Sequence, residues 1–286
     1  MTGNSSQEDL PAKATTRRSW LAPLRDDVHL SYTDLPVLAC CTVSGLCDSV
    51  AFNATGTFAS MQTGNTIFLA LGAARLPANQ PLLWLRALVS IAAFWAGCFV
   101  FSKMRHFHPH RKATLALSFV LQACFIFIAA ALAQTAAVPS FGMNRLPTTL
   151  SDAEGAIRSE REDNGLSLIP VALLAFQFGG QIVMSRVLGV NEVPTNVLTS
   201  LYCDLLSDPL LVAPLSKNPK RNRRIASIVL LVAGGIAGGW IQRTSAGMSA
   251  ALWLAGAIKF ALGVVWVFWR SKPLPTEKSP NPAGVV

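Results

Sequence analysis

The chain has 286 residues, of which 51% are hydrophobic and only 14% charged, at a mean hydropathy of +0.42. A soluble domain carries about 25% charged residues, so this composition argues against a soluble enzyme or binding module and indicates a multi-pass membrane protein. The net charge of +9 does not indicate nucleic-acid binding, because the basic residues cluster beside apolar runs, in KMRHFHPHRK (103–112) and KNPKRNRR (217–224). There they read as topology signals and as contacts for anionic headgroups of the lipid bilayer.

Residues 1–33 are polar, with Lys13, Arg17, Arg18 and Arg25 spread too widely for a secretory signal, and read as a disordered cytoplasmic tail. Eight apolar segments follow, at 35–54, 57–74, 82–101 and 113–137 in a first membrane repeat (34–137), and at 168–189, 194–215, 225–242 and 246–269 in a second (168–270). Between them lies a polar loop, 138–167, read as external, and the chain closes in a second cytoplasmic tail, 271–286. If all eight segments crossed from a cytoplasmic N-terminus, the basic 103–112 loop would fall outside, against the positive-inside tendency. If segments two and six leave on the side they entered, every basic loop falls inside, and the loop carrying Asp152, Glu154, Glu160, Glu162 and Asp163 falls outside.

Segment two carries MQTGN (61–65), polar groups that lipid cannot satisfy. Non-helical backbone at membrane depth is tolerated only where protein or a wet cavity satisfies it. The expectation is a re-entrant break in which Gly64 frees the backbone conformation while Thr63 and Asn65 cap the half-helix TIFLALGAA. The alternative is an unbroken helix whose polar residues join it to its neighbours.

The halves resemble one another. VSGLCDSVAF (43–52) and FGGQIVMSRV (178–187) each open a half, MQTGNT (61–66) and VPTNVLTS (193–200) interrupt it, and AAFWAGCF (92–99) and AGGIAGGW (233–240) share one frame of small residues. Three crossings per half is an odd number, so the second half lies inverted. The fold class expected is an all-α membrane protein with six transmembrane helices and two re-entrant half-helices in an inverted 3+3 repeat, an architecture recurrent among secondary transporters. Ala92/Ala96, Ala93/Gly97, Gly234/Gly238 and Gly235/Gly239 have the spacing that lets helix backbones approach, and are read as packing seams within or between protomers, with a homo-oligomer left open.

SGLCDSVAF, MQTGNTIFLALG and QFGGQIVMSRVLGVNEVPTNVLTSLYCDLLSDP together resemble the YoaK-like family of membrane proteins, a domain-of-unknown-function family found in bacteria and fungi. The resemblance covers roughly residues 35–269 and implies a polytopic membrane protein, usually described as a predicted transporter, with no established substrate. By motif it singles out Gly45, Asp48, Thr63, Gly64 and Asn65 in the first half, and Gln181, Arg186, Glu192, Pro194, Thr195 and Thr199 in the second. Bacterial members tend to carry an Asn where this chain has Ile182, and the long acidic loop and the second signature resemble fungal members most.

Ionisable residues inside spans mark functional sites by default. Asp48 and Lys259 lie at similar expected depths, as an ion pair or proton-sensitive switch; Arg186 and Asp204 form a second candidate pair, and Arg86 reads as snorkelling to the interface. His29, His106, His108 and His110 all fall outside the spans, Asp48 and Asp204 sit toward opposite faces, and no GxxxxGK[ST] pattern is present, so neither an enzyme nor a nucleotide-driven pump is expected. HFHPH (106–110) lacks a carboxylate or thiolate neighbour, and Cys40 and Cys41 lie in apolar surroundings; no metal or cofactor is expected. The reading is a secondary transporter of a small solute, both termini cytoplasmic, in the plasma membrane. Its midplane site would be lined by Thr63, Gly64 and Asn65 from one half and by Gln181, Pro194, Thr195, Asn196 and Thr199 from the other, with Asp48 and Lys259 setting its charge. A channel and a non-transporting assembly or scaffold protein are the alternatives.

Overall fold

The computed structural model describes residues 22–78, 80–142 and 165–272. The acidic cluster of the 138–167 loop and most of both tails lie outside the described residues.

Among the described residues, runs of apolar residues close to the length of a hydrocarbon core form six long helices: α1 (Asp34–Thr55), α3 (Leu83–Lys103), α4 (Lys112–Gln134), α5 (Leu168–Val187), α7 (Pro219–Gln242) and α8 (Gly247–Phe268). Each is long and apolar enough to cross a membrane. Two short helices interrupt the series, α2 (Gln62–Ala73) and α6 (Thr199–Leu206). At 1.5 Å per residue they reach only about 18 and 12 Å, well short of a hydrocarbon core of about 30 Å. α1 ends at Gly56, whose φ of 72° closes the last turn through its N–H to Phe52 O, 2.8 Å. α7 starts at Asn218, whose side chain accepts from Arg221 N ahead of Pro219 in the first turn.

α1 lies along α7, α3 along α5, and α4 along α8. Contacts at their ends orient every helix. Asp34 meets Arg223 at the start of α1 and α7, Val28 N donates to His110 O just before α4, and His29 N donates to Arg270 O just after α8. These sites mark one end of the bundle, here the first face. At the other end, the second face, Arg86 near the start of α3 donates to Thr55 O, the last residue of α1, and to Ser167 Oγ, just before α5. α1 and α5 are therefore antiparallel, and residues 56–82 begin and end at the second face. The basic segments at 103–112 and 217–224 and the Arg270 and Lys272 pair after α8 gather at the first face; Lys13, Arg17 and Arg18 of the N-terminal tail lie outside the described residues.

Part of the expected N-terminal tail is ordered. Residues 22–25 form a 3-10 turn, Asp27 and Val28 bridge to Arg111 and Ser271, and Val28 is buried against Val37 and Trp266. Val138 and Phe141, placed by sequence in the polar loop, pack into the core beside Ile126 and Val171.

Glycine makes the main seams. A Cβ on Gly97 would lie 2.0 Å from Phe176 O, one on Gly179 2.3 Å from Phe94 O, one on Gly45 2.1 Å from Leu231 O and one on Gly234 2.3 Å from Thr42 O. A Cβ on Gly238 would lie 2.2 Å from Ser49 Oγ, whereas one on Gly239 would meet nothing within 4 Å and one on Gly235 only Gly45 O at 4.0 Å. Of the expected small-residue seams, Gly97, Gly234 and Gly238 act within the chain. Ala92 is exposed, and Ala93 and Ala96 line an open apolar groove with Ala172 and Phe176.

Candidate functional site

Beyond Gly56 the chain turns back along α1. Asp48, two turns before the end of α1, accepts through Oδ1 from Ala59 N and Ser60 N, both at 2.9 Å, and through Oδ2 from Ser60 Oγ. Asn65, in the first turn of α2, closes the other side of the segment. Its Oδ1 accepts from Phe58 N at 3.0 Å, and its Nδ2 donates to Phe58 O at 2.7 Å, Gln62 Oε1 at 2.9 Å and Ser90 Oγ at 3.0 Å. Gln62 Nε2 donates to Ala59 O, and Ser90 Oγ to Phe58 O. The backbone of 58–60, which neither helix nor lipid can satisfy, is thus held by one carboxylate, two amides and the Ser90 hydroxyl.

This corrects the expected capping. The residue before α2 is Met61, no side chain caps the helix, and Thr63 points away from the core on the exposed face. Gly64 has no left-handed φ; its value is proximity, since a Cβ there would stand 3.2 Å from the Phe58 ring. Replacing Asn65 with Leu keeps the size but strands Phe58 N–H, at about 1–3 kcal/mol per buried unpaired group. We expect a clearly lower Tm in detergent for Asn65→Leu, and for exposed Thr63→Val a change within about 0.5 kcal/mol.

The second interruption is tighter. After α5, Pro194, Thr195 and Asn196 form a buried turn in which Asn196 N donates to Pro194 O at 2.8 Å across Thr195, whose φ is +64°. A β-branched residue in the left-handed region is a strained outlier. Asn196 Nδ2 reaches Ser60 O at 3.4 Å, so the two interruptions meet beside Asp48. There Thr195 Oγ1 and Asn196 Oδ1 are buried without a hydrogen-bond partner. Thr199, in the first turn of α6, is exposed.

A second buried chain runs toward the first face. Lys259 Nζ donates to Gln181 Oε1, lies 3.7 Å from Cys40 Sγ and sits 5.4 Å from the Phe119 ring centroid. Gln181 Nε2 donates to Ser44 Oγ at 2.9 Å. One turn from Gln181 on α5, both polar atoms of Gln177 are buried and unpartnered, as is Oε1 of Gln122 on α4.

The proposed charge pairs do not form. Lys259 meets α1 at Cys40, eight residues or about 12 Å along the helix from Asp48. Arg186 is exposed and binds Asn191 O at 3.0 Å, while Asp204 stands 3.9 Å from Arg224 Nη2. Arg86, read as snorkelling, is fully buried. Sequence reading placed Gln62 in the break without a role, and missed Ser60 and Ser90 in the first clamp and Arg223, which binds Asp34 Oδ2 at 2.8 Å and Glu192 Oε1 at 2.6 Å. Nearby, the Asn218 amide and Leu210 N–H hold the Asp208 carboxyl below its usual pKa, with Arg224 also bound to it.

Six membrane-length helices around a buried polar core define a polytopic helical membrane protein. Residues 37–265 match the family described as "Protein of unknown function (DUF1275)", and the chain belongs to it. Neither the curated proteins nor the solved structures yield a match.

Proposed function

We propose that the protein is a secondary transporter of a small polar solute, in the form of an inverted repeat whose two re-entrant segments, 56–82 and 188–218, meet at the solute site. The observation that carries this reading is the Asn196–Ser60 junction with its orphaned Thr195 hydroxyl and Asn196 carbonyl oxygen. The large majority of buried side-chain polar atoms are paired, and each exception calls for an explanation in strain, function or a bound molecule. The strained turn at Thr195 adds support, because such backbone concentrates at ligand clamps. So does the exchange pattern of the helices, in which the first helix of each half packs on the third of the other while the fourth helices pack together. With the described basic segments at one face, the positive-inside tendency argues for both termini in the cytoplasm; the plasma membrane is the membrane we propose.

Thr195, Asn196 and the Asp48–Ser60 pair contact solute, Pro194 shapes the turn, and Gln181 with Lys259 extends the polar path toward the first face. Gly64 and Asn65 build the clamp instead of touching solute. Asp48 couples transport to protons: it is the one acidic side chain among the described residues buried at this depth, and it has no cationic partner there. The test is uptake into proteoliposomes of labelled amino acids, sugars, nucleobases, organic acids and inorganic ions. We expect saturable, trans-stimulated uptake of one class, impaired by Thr195→Ala, and a loss of pH-gradient dependence in Asp48→Asn. Flux that never saturates would indicate a channel. No flux of any probe would favour a scaffold, and an Asp48→Asn protein with full pH dependence would remove the proton coupling.

A further inference from the structure

Two arginines outside this junction occupy matching places at opposite ends of the bundle. Arg86 is the fourth residue of α3 and Arg223 the fifth of α7, the third helices of their halves. Arg86 donates through Nη1 to Thr55 O, at the end of the first helix of its own half, at 3.3 Å. Its Nε reaches Ser167 Oγ, at the start of the first helix of the other half, at 3.1 Å. Arg223 repeats the pattern: Nη1 binds Glu192, five residues past the end of α5 in its own half, at 2.6 Å, and Nε binds Asp34, the first residue of α1 in the other half, at 2.8 Å. Asp34 and Thr55 lie about 30 Å apart along α1, with the Asp48–Ser60–Asn196 junction between them.

Resting on the transporter reading, we propose that these arginines are its two gates, each tying the first helices of both halves together at one end so that releasing one opens the junction to that side alone. α1 and α5 are the helices each gate joins, and they carry Asp48 and lead into the Thr195 turn, so parting them at one end exposes the site from that end. The gates differ chemically. Arg223 makes two ion pairs with its side chain 34% exposed, which salt weakens. Arg86 is fully buried, so its contacts, Thr55 O and Ser167 Oγ among them, are screened much less by salt. The first face is therefore the one that opens more readily.

The test places a single cysteine, Thr195→Cys, in a cysteine-free background, a change that removes no hydrogen bond. A charged, membrane-impermeant methanethiosulfonate is added to one side at a time of right-side-out and inverted vesicles. Arg223→Ala should speed labelling about tenfold from the first face only, and Arg86→Gln should do so from the second face only. Raised ionic strength should mimic Arg223→Ala and not Arg86→Gln. Arg223→Lys, which keeps a cation between Asp34 and Glu192, should label close to the native rate, and Ser167→Ala replaces Arg86→Gln if that protein does not fold. Acceleration from both faces, from the wrong face or from neither in a folded variant overturns the gates. Side-specific acceleration without saturable flux of any solute would keep the gates and overturn the transporter reading; saturable flux with unchanged labelling would overturn the gates alone.

Discussion

Asp48→Ala is expected to lower stability by about 3 kcal/mol or more, and Asp48→Asn to leave the fold standing. The alanine leaves the N–H groups of Ala59 and Ser60 and the Ser60 hydroxyl facing a void in a fully buried segment. Each buried group left unpaired costs about 1–3 kcal/mol. An asparagine of the same shape still offers Oδ1 to both N–H groups, and its amide can donate to Ser60 Oγ. The pair of substitutions separates the carboxylate as builder from the carboxylate as titrating group, measured by thermal unfolding in detergent. Equal losses for both would mean that the charge itself holds the segment.

The second large effect is steric and tells neighbouring glycines apart. Gly97→Ala and Gly234→Ala put a methyl within about 2.0–2.3 Å of a carbonyl oxygen on the facing helix, Phe176 O and Thr42 O. Neither is the end of a flexible side chain, so the helices themselves must separate, and overpacking of this kind costs about 1–3 kcal/mol or more. Gly239→Ala, five residues from Gly234 on the same helix, meets nothing within 4 Å and should be neutral or slightly stabilising through helix propensity. A Tm series of the three variants checks this. A Gly239→Ala loss as large as that of Gly234→Ala would move that face into an interface between protomers.

Much of the architecture was legible because lipid imposes a length. Six apolar runs of about 20 residues became six helices, and the polar interruptions at MQTGN and VPTNVLTS became short helices and turns. The spacing of small residues identified the right helices but not the right residues: Gly234/Gly238 and Gly235/Gly239 are indistinguishable by pattern, and only the facing surface of α1, Thr42 O at Gly234 and the Ser49 hydroxyl at Gly238, chooses the first pair.

The site was legible in its parts and not in its pairings. Asp48 and Lys259 are both lone charges in apolar spans, and depth estimated along two separate helices put them level. The packing of α8 instead brings Lys259 to Cys40 and Gln181, while the returning segment delivers its own N–H groups to Asp48. Ser60 and Ser90 gave no signal, since serine is common in membrane helices. Arg86 misled because it stands near a helix start, where a long side chain ordinarily reaches the interface; Ser167 and Thr55 are among the partners that hold it inside, and no local pattern ties them to it.

The claim on which the rest depends is that residues 56–82 enter and leave on one side, which makes the second half the inverse of the first. In a cysteine-free background, Leu30→Cys, Arg75→Cys and Lys103→Cys, all exposed in the native chain, are labelled separately with a membrane-impermeant thiol reagent on sealed cells and on inverted vesicles. The account predicts that positions 30 and 103 react from one side and position 75 from the other, whichever way the protein is inserted. Positions 30 and 75 reacting together, with 103 opposite, would mean that the second segment crosses, and the inverted repeat and its solute site would fall with it.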